Sequence, residues 1–178
     1  MKSAATTRGF SLLETIVAIA VLSLAVAGPL SVVSNALKSA IYAKAEISAI
    51  HLAQEGIEVV RNLRDTNVLS GAPWLNLIDP SPCTSIGCDI QINPSTGAYT
   101  LRACAALSNE SCELNYDSVL GLYNHEGQSA TNKPSPFART IRIRHLNDIE
   151  SAVEVSVTWR TSIVTQTFTV RDNLLNWQ

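Results

Sequence analysis

The sequence predicts an α+β fold in which one long N-terminal helix packs on a small antiparallel β-sheet. Three observations predict it. Residues 16–33 form an apolar run with few interruptions, and a helical repeat of apolar residues continues to about residue 65. Residues 137–178 instead alternate between apolar and polar positions, as strands with one buried face do. The helix is therefore expected to have a transmembrane half and an amphipathic half.

Composition limits the classes of function. With 178 residues the chain has room for one domain plus an anchor, and its net charge of −2 provides no basic field for nucleic acid. His51, His125 and His145 have no sequence neighbours that resemble a nucleophile or metal motif, and no glycine-rich phosphate loop is present. We expect neither an enzyme nor a cofactor, a metal site or a nucleic-acid partner.

The N-terminal segment divides into a leader, residues 1–9, and an apolar segment, residues 10–33. Its most apolar part, the eighteen residues 16–33, is just long enough to span a bilayer, particularly with Leu12 and Leu13 added. Lys2 and Arg8 give the leader a positive charge. Because positive flanks stay in the cytoplasm, the rest of the chain is expected to lie on the other side of the membrane.

The stretch RGFSLLE, residues 8–14, precedes this apolar segment. It resembles the class III signal of type IV prepilins and secretion pseudopilins, which a membrane peptidase cuts after the glycine. The resemblance implies a cut between Gly9 and Phe10, followed by N-methylation of Phe10. An ordinary secretory signal would instead be cut after AVAG, residues 25–28, where Pro29 directly after the cut would hinder most signal peptidases.

Glu14 is a carboxylate near the start of a segment that suits lipid. A charge deep in a bilayer costs about 2.5–3.5 kcal/mol, so it needs a partner. Cleavage creates one, because the freed amine of Phe10 is a cation near neutral pH. The resemblance implies that Glu14 pairs with the N-terminal amine of a neighbouring subunit and sets the register of assembly. In the alternative, Glu14 reaches the lipid interface without a partner.

Residues 34–66 are predicted to continue the helix as an amphipathic segment. Its apolar residues recur at spacings of about three or four: Ala40, Ile41, Ala45, Ile47, Ile50, Leu52, Ala53, Ile57, Val60 and Leu63. Upstream, Gly28 and Pro29 predict a local bend or melting, because proline removes a hydrogen-bond donor. The resemblance implies that melting accompanies packing into a filament. The alternative is a tolerated proline without a role in assembly.

Residues 67–178 are predicted to form a β-rich head that begins with a loop of turn-forming residues. Its four cysteines lie between positions 83 and 112 and indicate disulfides and an oxidising compartment. Three pairings are open. Cys83 with Cys88 and Cys104 with Cys112 is the favoured one, since it places a small loop at either end of a predicted hairpin. Zinc is the other interpretation, but the cysteine gaps do not match tight zinc knuckles.

The remaining head has two parts. Residues 113–136 are polar, contain several turn formers and are interpreted as a surface excursion. Residues 137–178 are predicted to form three antiparallel strands, whose apolar faces cover the amphipathic half of the helix.

Several later segments carry a second resemblance: LAQEGIEVVRNLRD, FARTIRI, VSVTW and DNLLNW. They are similar to minor pilins of the pilus-modification (V-type) group. The resemblance implies a lollipop-shaped pilin, held in the inner membrane with its head outside the cytoplasm and then moved into an extracellular or periplasmic filament used in adhesion or twitching motility. Its implied partners are other pilins, the prepilin peptidase and methyltransferase, and the inner-membrane assembly platform with its ATPase. The alternatives are a pseudopilin of a type II secretion or competence system and, from another class, a membrane-anchored extracytoplasmic binding domain.

Overall fold

A computed structural model describes residues 9, 11–79, 82–93, 96–104, 112–161 and 164–176. Helix α1 spans Leu12–Leu69, and a β-sheet follows it, so the predicted α+β class is confirmed. The chain divides into two compact units, Met1–Ala43 and Lys44–Gln178. This division lies ten residues beyond the predicted end of the membrane segment, and the membrane boundaries stay a prediction.

The described strands form one seven-stranded sheet in which every pairing is antiparallel. The strands are β1 Cys88–Ile92, β2 Tyr99–Ala103, β3 Glu113–Asp117, β4 Leu122–Asn124, β5 Asn132–Asn147, β6 Glu150–Thr161 and β7 Val164–Leu175. One edge of β5 pairs with β6, which pairs with β7. The other edge pairs with both β3 and β1, so the sheet forks there into the hairpins β3–β4 and β1–β2.

The predicted hairpin β1–β2 and the three C-terminal strands are confirmed. The prediction that residues 113–136 form a surface excursion is wrong, because β3, β4 and the start of β5 lie there. Side-chain hydrogen bonds order the turns of this region, and Leu114 of β3 is buried in the core. The buried amide of Asn132 donates to the carbonyls of Glu126 and Gly127, and Asp117 accepts from two backbone N–H groups of the turn after β3.

The core of the second unit lies between one face of α1 and the inner face of β5 and β6. Ile141, Val153 and Val155 are almost fully buried in the sheet. The buried helix residues are Ala49, Leu52, Ala53, Gly56, Ile57, Val59, Val60, Leu63, Arg64 and Asn67. The predicted stripe is therefore right from Leu52 onwards but wrong at Ala40, Ile41 and Ile47, which are exposed. The buried face of the helix passes through the small Ala49. The larger Ile47, two residues earlier, therefore lies on the exposed face.

Gly56 sets how closely α1 approaches the sheet. A Cβ at this position would lie 2.9 Å from Cγ1 of Val155 and 3.3 Å from Cδ of Arg139. Glycine costs a helix interior about 1 kcal/mol relative to alanine, so a close contact offsets that cost here.

We predict that Gly56→Ala destabilises the second unit by about 1–2 kcal/mol, despite its better helix propensity, because the added methyl group overpacks the core. Urea unfolding of the full chain in detergent measures the change. Gln54→Ala, at an exposed position of the same helix, is the control and should shift stability by no more than about 0.5 kcal/mol. A Gly56→Ala variant as stable as the wild type would contradict the close-packing argument.

Charged residues occupy the place where the sheet forks. Nε of the buried Arg139 donates to Oδ1 of the fully buried Asp89 at 2.7 Å, and Nη1 of Arg139 donates to the helix carbonyl of Leu52 at 3.3 Å. Burial acts to lower the pKa of Arg139, but the charges of Asp89 and Glu55 outweigh it, and the pKa lies above its ordinary value. The guanidinium therefore stays charged and joins α1 to β1 and β5.

His125 completes this buried cluster. Its Nε2 lies 2.7 Å from Oδ2 of Asp89, and its Nδ1 lies 2.9 Å from the carbonyl oxygen of Glu113. Both ring nitrogens face oxygen acceptors, so both contacts are hydrogen bonds only when the ring carries two protons. The cluster thus connects the two hairpins that the fork separates.

Two disulfides bracket the hairpin β1–β2. Cys83 is bonded to Cys88 and Cys104 to Cys112, with Cα atoms 4.6 and 5.3 Å apart, and the described part of the chain has no free cysteine. These are the pairs that the sequence favours. Since Cys88 begins β1 and Cys104 follows β2, both bonds lie at the open end of the hairpin, where Cys88 pairs with Ile141 of β5.

Candidate processing and assembly segment

Ser11 caps the start of α1. Its side-chain oxygen accepts the backbone N–H of Glu14 at 3.2 Å, and its carbonyl accepts the N–H of Thr15 at 3.2 Å. Serine followed three residues later by glutamate is the capping-box pattern, which satisfies backbone N–H groups that a helix start otherwise leaves unpaired. The predicted site residues did not include Ser11, although the Ser-x-x-Glu spacing was a signal that could have identified it.

Glu14 lies in the first turn of α1, where the helix dipole favours a negative charge. It is the only charged residue of the sequence between Arg8 and Lys38. Its carboxylate makes no ion pair with any residue that the structure describes. The helix start thus presents one carboxylate, close to the predicted cleavage point, that remains available to a cation from outside the chain.

The apolar part of α1 is exposed on all sides in the first unit. Leu12, Leu24 and Val32 are 78%, 77% and 68% exposed. The hydroxyl groups of Thr15 and Ser23 donate to helix carbonyls at 2.8 Å, so they do not require water. α1 is the one described helix long and apolar enough to cross a membrane. Such a surface needs lipid or other apolar helices around it.

The other predicted site residues are distributed as follows. Gly9 is exposed, with no atom within 4 Å of a Cβ built on it, and Phe10 lies outside the described residues. Gly28 and Pro29 are both part of α1, which is helical throughout Leu12–Leu69. Melting at these two residues during assembly stays a prediction.

Residues 5–28 match the family model of the prokaryotic N-terminal methylation motif. The chain carries a prepilin-type signal. The match includes Gly9, Phe10 and Glu14 and supports a place in the type IV pilin and pseudopilin superfamily. No curated protein and no solved structure matches the chain.

The prepilin-type signal indicates a general role and general partners. Proteins with this motif are structural rather than enzymatic, and the motif implies processing by a prepilin peptidase and assembly with other pilins. Together with the apolar part of α1, it fits a membrane-anchored pilin.

Proposed function

We propose that this chain is a minor pilin, a structural subunit of a type IV pilus-like filament. The observation that carries the proposal is the start of α1. There Ser11 caps the N–H of Glu14, the carboxylate of Glu14 has no ion-pair partner among the described residues, and the helix around it presents an apolar surface exposed on all sides. The prepilin peptidase cuts between Gly9 and Phe10, and Phe10 is then N-methylated.

Charge explains how the processed subunit assembles. Glu14 in lipid needs a cation, and the new amine of Phe10 on a neighbouring subunit is one. A wrong register would leave both charges unpaired in an apolar bundle, so the pair selects the correct axial position. Before assembly the subunit is held in the inner membrane with its head outside the cytoplasm. The assembly platform and its ATPase then move it into the filament.

The N-terminal sequence and intact mass of protein from its native host test the proposal. We predict a chain that begins with N-methylated Phe10. Gly9→Val is the matched variant and should retain the whole leader, because its side chain obstructs the position after which the peptidase cuts. A wild-type chain that still begins at Met1 in a host with an active prepilin peptidase would contradict the proposal and leave the apolar helix as a plain anchor.

A pseudopilin of a type II secretion or competence system is the second candidate, since the same signal serves both. The two disulfides of the head favour the minor pilin, because they suit a subunit that persists outside the cell. Labelling intact cells with an antibody against the head separates the two: filaments on the cell surface support the minor pilin, whereas antigen confined to the periplasm supports the pseudopilin.

A further inference from the structure

Three arginines lie on the outer face of the sheet, the face that turns away from α1. Strand alternation places Arg142 and Arg144 of β5 on this face, because Ile141 and Ile143 are buried on the other one. The register then aligns Arg142 with Glu154 of β6 and Glu154 with Arg171 of β7.

These arginines border a cavity of about 400 Å³ that lies wholly in the second unit. Arg144 pairs with Ala152 across the strands, and the small side chain of Ala152 leaves room between its longer neighbours. The segment Cys83–Ser85 lines the cavity on another side. A volume of this size suits a small ligand or one or two units of a polymer.

The disulfide loop that lines the cavity is held against the sheet. Gly87 has a φ of +97°, and a Cβ there would lie 2.7 Å from Cγ2 of Thr140 on β5. Only glycine allows this approach. The Cys83–Cys88 bond closes the loop, so this side of the cavity is formed before any ligand arrives.

The lining of the cavity carries more positive than negative side chains. Nε of Arg171 lies 2.6 Å from Oε2 of Glu154. Arg142 and Arg144 have no ion-pair partner within 4.0 Å among the described residues. His145, also in the lining, lies 2.9 Å from Oδ2 of Asp79 and so faces a carboxylate of its own. Three guanidinium groups therefore share one lining carboxylate, in a protein whose net charge is negative.

A guanidinium group without a carboxylate partner is usually solvated, but here two of them flank a preformed depression. Arginine forms two parallel hydrogen bonds to a carboxylate or a phosphate, and these charge-assisted bonds are about twice as strong as neutral ones. We propose that the cavity beside Arg142 and Arg144 binds an oxyanion group, carboxylate or phosphate, of a small or polymeric ligand. This binding role goes beyond the proposed filament function and does not depend on leader cleavage.

Calorimetric titration of the full chain in a non-ionic detergent at low salt tests the site, with inorganic phosphate and tri-galacturonate as separate probes. At least one probe should bind saturably, and the affinity should fall at least about tenfold in Arg142→Gln/Arg144→Gln, the loss of roughly one charged hydrogen bond. The control Arg102→Gln/Arg160→Gln changes the net charge equally at exposed positions outside the cavity and should bind as the wild type does. Binding of phosphate alone indicates a phosphate-bearing ligand, and binding of tri-galacturonate alone indicates an acidic sugar.

A second variant tests the shape of the cavity independently of its charge. Ala152→Leu fills the depression without changing any charge, so it should also weaken binding, and tryptophan fluorescence shows whether each variant is folded. The proposal is overturned if neither probe binds saturably, if the control pair loses as much affinity as the Arg142/Arg144 pair, or if folded Ala152→Leu binds like the wild type.

Discussion

Replacing Arg139 by methionine should lower the free energy of unfolding of the second unit by about 3–5 kcal/mol. The substitution removes the guanidinium group that lies 2.7 Å from the fully buried Asp89. It also leaves the helix carbonyl of Leu52 without the hydrogen bond from Nη1. A buried charge that loses its partner keeps its whole desolvation cost, which is the reason for the large effect.

Urea unfolding of the oxidised full chain in detergent, followed by tryptophan fluorescence, measures this loss, because Trp159 is buried in the same core. Arg160→Met is the matched control: it removes the same charge at an exposed position of β6 and should cost no more than about 0.5 kcal/mol. The double variant Arg139→Met/Asp89→Leu removes both charges and should recover much of the stability.

Two results would count against a buried ion pair that holds the fork together. One is an Arg139→Met variant with nearly wild-type stability. The other is a double variant that loses the sum of two independent single losses, since residues in direct contact are expected to be coupled.

The sequence predicted those parts of the fold that are encoded locally. The alternation in β5 and β6 identified both strands, and the valines of β6 that share a face in the sequence are buried together in the structure. The apolar repeat identified α1 as far as Leu63. Such patterns repeat within one element, so a single sequence is enough to recognise them.

The fork of the sheet could not be predicted in the same way. Asp89 and Arg139 are 50 positions apart, and His125 contacts Asp89 across 36 positions. Nothing near any of them in the sequence indicates a buried partner. β3 and β4 were missed because they are short: ELNYD of β3 alternates over only five residues and β4 has only three. Their turns are held by the buried Asn132 and by Asp117, contacts that no local pattern indicates.

The two candidate sites differ in the same way: the processing segment is encoded locally, and the oxyanion cavity is not. The cleavage point, Glu14 and the Ser11 cap lie within a few residues of one another, and their spacing carries the information. The oxyanion cavity depends on the cross-strand register of β5, β6 and β7 and on the disulfide loop that lies against β5. From the sequence alone, Arg142 and Arg144 are polar positions of an alternating strand.

Replacing Glu14 by glutamine should leave cleavage unchanged but reduce incorporation into filaments by roughly a hundredfold. An unpaired amine of Phe10 in an apolar bundle costs about 2.5–3.5 kcal/mol, and each 1.4 kcal/mol corresponds to a factor of ten. Glutamine serves as well as glutamate at the third position of a capping box, so the start of α1 is preserved while the charge is lost. The amount of the subunit in sheared filaments, relative to the membrane fraction, measures incorporation.

Ser11→Ala is the complementary variant, because it removes the cap and keeps the charge. Losing the bond between Ser11 and the N–H of Glu14 costs the helix about 1 kcal/mol, and the capped turn is a small part of an interface that runs along the apolar helix. We therefore expect Ser11→Ala to be processed and incorporated nearly as well as the wild type. If Glu14→Gln assembles normally and Ser11→Ala does not, assembly depends on the helix cap rather than on the charge of Glu14, and the pairing with a neighbour's amine is wrong. The opposite result assigns the function of Glu14 to its charge, since the two variants differ in charge and cap alone.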